Sequence, residues 1–203
     1  MYIPASFAET DVSKLHALMR AHNFATLVSN GTPAPYATPL PFLIDEHRGP
    51  QGTLVGHMAR ANPHWKSLSP DQDVLVIFQG AHSYISPRWY APPSVVPTWN
   101  YAMVQATGKP CLIHEPDALR QLVTALVDFH EGPGGLANID AAFPDALLKA
   151  IVGIEIPIDR LEGKFKMSQN KAPEDQQGVI AALEQSSRDD AQAVAQIMRT
   201  YTK

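Results

Sequence analysis

Polar and cationic residues are interleaved with aromatics at five places in otherwise apolar, strand-like sequence: 56–65, 78–80, 84–90, 96–101 and 162–170. All three tryptophans, Trp65, Trp89 and Trp99, fall in these stretches. Cations beside aromatics, with small residues at strand ends, suit a flat phosphorylated ligand. At His57-Met58-Ala59-Arg60-Ala61-Asn62-Pro63 a strand ends, a small-residue turn carries Arg60, and Asn62-Pro63 starts a helix. Free amides at such a turn favour an anion, and Arg60 can add a bidentate cation. The same residues also describe an ordinary capped turn with a solvated Arg60. In 162–170, alternation puts Lys164 and Lys166 on one side of an extended chain and Phe165 on the other. Ser168, Gln169 and Asn170 add polar groups. The plainer alternative is a basic edge that discourages sheet aggregation.

Other chemistries find little support. His57 and His64 flank the turn with no third residue at metal-ligand spacing. Cys111 is the single cysteine, so no intrachain disulfide forms, and it has no marked basic neighbourhood. Gly-x-Ser-x-Gly, Walker and dinucleotide fingerprints are all missing. Trp89, Tyr90, Trp99 and Tyr101 can stack on a flat ring or line a core or interface.

The elements that must position these residues alternate between strand and helix patterns. Helices are expected over 11–21, 116–130, 141–150 and in the segment after Pro173, where Val179, Ile180 and Leu183 share one face and Ala191, Val194, Ala195 and Met198 another. Strands are expected over 24–29, 35–44, 53–57, 74–78, 84–86, 99–107, 111–114 and 151–158. Asn30-Gly31 marks a hairpin turn, and Pro39 and Pro41 push the following strand toward an edge or irregular position. No regular strand-helix-strand repeat appears, so the expectation is mainly β with helical additions (α+β), an antiparallel barrel rather than a doubly wound sheet.

Composition sets further bounds. Of 203 residues, 45% are hydrophobic and 18% charged, which suits a real core and argues against disorder. A net charge of −4 is a poor electrostatic footprint for direct nucleic-acid binding. No stretch reaches the roughly 20 apolar residues of a membrane span, and the first residues lack a leader pattern, so a cytoplasmic location is expected.

Taken together, Gly56–Pro63, Val74–Gly80, Tyr84–Ser86, Val96–Tyr101, Lys166–Asn170, the opening Met1-Tyr2-Ile3-Pro4 and Ile151-Val152-Gly153 resemble the PaiB-type FMN-binding transcriptional regulators, nearly end to end and in the same order. The resemblance implies an antiparallel split β-barrel of the FMN-binding type over 1–170, with a helical insertion near 115–150 and a C-terminal helical arm over 171–203. It also implies a homodimer with flavin at the subunit interface. His57, Met58, Ala59, Arg60 and Asn62 would meet FMN at its phosphate, Trp99 and Asn100 near the ring or ribityl chain, and Lys166, Gln169 and Asn170 from the partner subunit or the arm. One departure stands out: Pro39 replaces a His common in the family, removing an imidazole and a backbone donor together. To the extent that this position touches flavin, weaker binding follows. The implied function is an FMN-binding regulator, touching DNA or a regulatory protein. The alternatives are a flavin-dependent oxidoreductase or a split barrel that has lost its flavin.

Overall fold

The computed structural model describes residues 1–91, 96–135 and 145–201. In chain order the elements are β1 (Ala8–Glu9), α1 (Val12–Ala21), β2 (Phe24–Ser29), β3 (Tyr36–Asp45), β4 (Thr53–Ala59), β5 (Val74–Ile85), β6 (Thr98–Gly108), β7 (Cys111–Ile113), α2 (Pro116–Glu131), α3 (Asp145–Leu148), β8 (Ile151–Lys166), α4 (Pro173–Glu184) and α5 (Asp189–Tyr201). Short 3-10 turns occupy Pro63–Ser67 and Pro87–Trp89. Hydrogen bonding runs β1-β8-β4-β3-β2-β5-β6, β7 also pairs with β8, and a β8–β6 pairing returns the path on itself. The registered pairings are antiparallel, among them His57 opposite Gly153 and Thr26 opposite Pro39.

The chain divides into two compact units, and β5, β6 and β8 each contribute a stretch to both. One unit comprises 22–78 and 105–161. Its helical core is α2, whose Leu119, Leu122, Val123 and Leu126 recur on one face and bury with Leu148 against Leu43, Val55, Ile113 and Ile151. Pro116 opens α2 at its first position, and Gly132, at φ 90°, closes it by donating to Asp128 O. Gly153 lets α2 and β7 come close: a Cβ there would lie 3.0 Å from both Ile113 Cβ and Leu119 Cδ2. Gly108 is tighter, since a Cβ would stand 2.0 Å from the Pro157 carbonyl oxygen. Gly108→Ala is expected to lower stability by about 1–3 kcal/mol, read as a lower denaturant midpoint at unchanged slope.

The other unit comprises 1–21, 79–104 and 162–203. Asp11 caps α1 by accepting from the Ser13 amide at 3.0 Å. Leu15, Leu18 and Met19 of α1 are buried, as are Val179, Ile180 and Leu183 of α4 and Val194, Ala195 and Met198 of α5. Glu9 accepts from the Tyr201 hydroxyl, the Asp11 amide and Lys14, which ties the end of α5 to the N-terminal segment.

Several expected elements take a different form. The strands expected over 74–78 and 84–86 are one strand, β5. Gly80 lies inside that strand, where its lack of a side chain serves close packing: a Cβ there would meet Leu18 Cδ1 at 3.1 Å and Ala102 O at 3.2 Å. The hairpin after β2 is not a two-residue turn, because Ser29 pairs with Tyr36 and leaves 30–35 as the connection. Pro33 and Pro35 in that span lack the N–H a ladder needs. Pro39 and Pro41 lie where β3 pairs only with β2, so their missing donors fall on an unshared edge, as expected. The last strand runs on to Lys166. Of the helix expected over 141–150, residues 141–144 lie outside the described residues, and α3 covers part of the remainder.

Candidate functional site

The first candidate group sits at the end of β4, in the unit of 22–78 and 105–161. Strand alternation leaves Met58 buried and Ala59 exposed, with His57 half-buried opposite Gly153. His57 Nδ1 is buried without a hydrogen-bond partner among the described residues, and burial lowers its pKa, so the ring is held neutral. Asn62 caps the 3-10 turn by accepting from the His64 amide at 3.0 Å. Pro63 then occupies the first turn position.

Arg60 is already engaged. Its Nε donates to Lys149 O at 2.7 Å and its Nη2 to Ile151 O at 2.8 Å, while its amide donates to Ala150 O at 2.7 Å. One edge of the guanidinium fork thus ties the turn to the segment between α3 and β8. Trp65 Nε1 donates back to Arg60 O at 2.9 Å. Beneath the turn lies His64, wholly buried, with Ser29 Oγ 2.8 Å from Nε2 and Thr38 Oγ1 2.7 Å from Nδ1. Thr38 immediately precedes Pro39, so the departure from the family pattern lies beside this relay.

The second group lies in the other unit, around the end of β8. A cavity of about 210 Å³ is lined by Phe7, Tyr90, Thr98, Asn100, Lys166 and Lys171, with Ser168 and Asn170 beside them. Lys166 Nζ donates to Thr98 Oγ1 and to Trp99 O, each at 2.5 Å. Burial, then the charges of Lys164 and Lys171, lower its pKa. Asn100 is fully buried, and its Nδ2 donates to Ser168 Oγ at 3.0 Å. Ser168 has φ 62°, the one non-glycine with positive φ among the described residues. Burial raises the Tyr90 phenol pKa, and its buried hydroxyl has no hydrogen-bond partner among the described residues. Gln169 spends its amide on its own turn, accepting from Met167 N at 2.7 Å and donating to Phe165 O at 2.5 Å.

Trp99 does not join Asn100, because adjacent strand residues face opposite sides. It is 48% exposed and lines a separate cavity of about 350 Å³ with Gln79, His82, Tyr101 and Met103. His82 and Tyr84 stand with ring centroids 6.1 Å from Trp99. Of the residues expected around a cofactor, the structure therefore groups Asn100, Lys166 and Asn170 at one cavity and His57 to Asn62 at one turn, and sets Trp99 on another face. Thr98 and Lys171 were not expected at the site. Both had a sequence signal: Thr98 shares the strand face of Asn100, and Lys171 directly follows Asn170 in the basic run.

The donor set fits a phosphorylated flavin. Lys166 and Lys171 face a cavity walled by neutral hydroxyl and amide groups, and no ion pair to Lys166 or Lys171 exists among the described residues. Among those residues no helix is long and apolar enough to cross a membrane.

Over 206 residues the chain is 32% identical to the Protease synthase and sporulation protein PAI 2 of Bacillus subtilis, covering 100% of this chain and 99% of that protein. Its backbone matches the flavocytochrome Anf3 of Azotobacter vinelandii with a TM-score of 0.66, at 18% identity over 78% of this chain and 69% of that one. It matches a FAD and heme binding protein of Mycobacterium smegmatis with a TM-score of 0.65, at 21% identity over 86% of this chain and 79% of that one. These likenesses show the fold, the mainly β, split-barrel class that the motifs imply. The sequence model of the family described as "Putative FMN-binding domain" matches residues 1–160, and the chain belongs to that family, whose cofactor is a flavin.

Proposed function

We propose that this protein is a cytoplasmic FMN-binding regulator of the PaiB type that works as a homodimer. The observation that carries the flavin reading is the cavity where Lys166 and Lys171 meet Asn100 and Asn170, with no carboxylate among the described residues that line it. Full-length similarity to PAI 2 supports the regulatory part. A bound flavin would supply electron-transfer chemistry, and the protein would bind and orient it.

Direct DNA reading has weak support. The first turn of α4 carries Glu174 and Asp175, and that of α5 carries Asp189 and Asp190. Such helix starts repel phosphates. Regulation through a partner protein fits better.

The test is a titration with FMN, following quenching of flavin fluorescence, with molar mass measured alongside. Saturable quenching by a dimer is the expected result, and protein that ignores FMN at all concentrations sinks the proposal. DNA retention persisting at high salt would overturn the indirect route. Steady turnover with a nicotinamide donor would favour the oxidoreductase instead.

A further inference from the structure

We infer that Lys166 and Lys171 form a phosphate-reading site that makes this protein prefer FMN to unphosphorylated riboflavin, while Arg60 serves its own turn. This rests on the flavin reading above. A phosphate monoester carries close to two negative charges near neutral pH, and it needs cations whose N–H groups are fixed and free. Lys166 meets both requirements. Thr98 Oγ1 and Trp99 O take two of its three hydrogens and aim the ammonium, so one N–H remains for a ligand. Lys171 stands with its ammonium 5.4 Å from the Tyr90 ring centroid, a cation–π contact that leaves its donors available.

The electrostatics point the same way. Lys166 is held half-buried beside Lys164 and Lys171, like charges that repel, and an incoming dianion turns that repulsion into attraction. Lys164 is differently placed: it is buried, donates to Tyr2 O at 3.1 Å, and sits over the Tyr2 and Tyr101 rings. That arrangement leaves Lys166 and Lys171 as the pair facing the cavity. Neutral donors from Asn100, Asn170 and Thr98 complete the wall.

Arg60 is the obvious rival on sequence grounds. Its Nε and Nη2 already donate to Lys149 O and Ile151 O, so a ligand would compete with two backbone carbonyls for the bidentate edge. Lys166 keeps one uncommitted N–H and, among the described residues, Lys171 makes only its contact with the Tyr90 ring, so a ligand need not displace an existing hydrogen bond there.

The experiment measures the affinities of FMN, riboflavin and inorganic phosphate for the full chain and for Lys166→Gln, Lys171→Gln, Lys166→Arg and Arg60→Gln. FMN affinity is expected to fall about 10- to 100-fold in each Lys→Gln variant, the effect of losing a hydrogen bond to a charged group, with riboflavin unchanged within about twofold. Lys166→Arg keeps most of the preference, which separates lost charge from misfolding. Inorganic phosphate should compete with FMN and not with riboflavin. If both flavins bind and their ratio stays the same in both Lys→Gln variants, the lysine assignment is overturned and the flavin reading stands. Collapse of the ratio in Arg60→Gln alone also overturns it. If phosphate binds through Lys166 while neither flavin binds, the flavin reading fails.

Discussion

Replacing His64 with alanine is expected to cost about 3 kcal/mol or more, lowering Tm by roughly 6–12 °C for a chain of this size. The imidazole is wholly buried and stacks on Tyr36 with centroids 5.1 Å apart. It joins Ser29 of β2 to Thr38 of β3 through both ring nitrogens. Truncation therefore opens a cavity and leaves the buried Ser29 hydroxyl only a 3.4 Å hydrogen bond to Asn30 O. A thermal melt of the variant within about 2 °C of the wild type would show that the relay contributes little.

The same residue predicts a pH dependence. Burial holds the His64 and His57 imidazoles below the ordinary histidine pKa. In the unfolded chain both take up a proton near pH 6.5, as model histidines do. Stability is therefore complete above about pH 6.5 and declines as the pH falls, because the unfolded state binds protons the fold refuses. Carboxylates act lower. Arg48 holds the Glu155 carboxyl below its usual range, so its contribution is lost only on further acidification. His64→Gln should flatten part of the upper decline, and a wild-type urea midpoint that is level from about pH 7 to 5 would refute the assignment.

Much of this was legible in the sequence, and the parts that were not share a cause. Helix periodicity located α1, α2, α4 and α5, and β-branched and aromatic content located β2 with its bounds. Those signals are local. The engagement of Arg60 is not, because its acceptors are the carbonyls of Lys149 and Ile151, and a backbone carbonyl carries no mark in the sequence. The need for glycine at Gly80 is hidden for a related reason: it is set by Leu18 and Ala102, far along the chain. The separation of Trp99 from Asn100 was readable in principle, since neighbours in a strand face opposite ways. Aromatic and amide read as one ligand cluster only while the strand was ignored.

The buried pair Asn100–Ser168 should behave as one unit. Ser168 holds a left-handed backbone that costs a residue with a side chain about 1 kcal/mol, and the turn it makes presents Asn170 and Lys171 to the cavity. Asn100 holds that turn in place, donating to Ser168 Oγ at 3.0 Å and accepting from it at 3.3 Å. Asn100→Leu keeps the branched shape but leaves the Ser168 hydroxyl without its partner, a loss of about 2–3 kcal/mol. Ser168→Gly relieves the backbone and leaves the Asn100 amide short of a partner, so the two effects oppose and the net loss should be near 1 kcal/mol. In the double variant neither group is left stranded. The two losses should therefore fall short of additivity by about 1–2 kcal/mol, a coupling the double-mutant cycle reads directly. Additivity within about 0.5 kcal/mol would mean that the turn holds its shape without Asn100, and the preference for FMN over riboflavin should then survive Asn100→Leu intact.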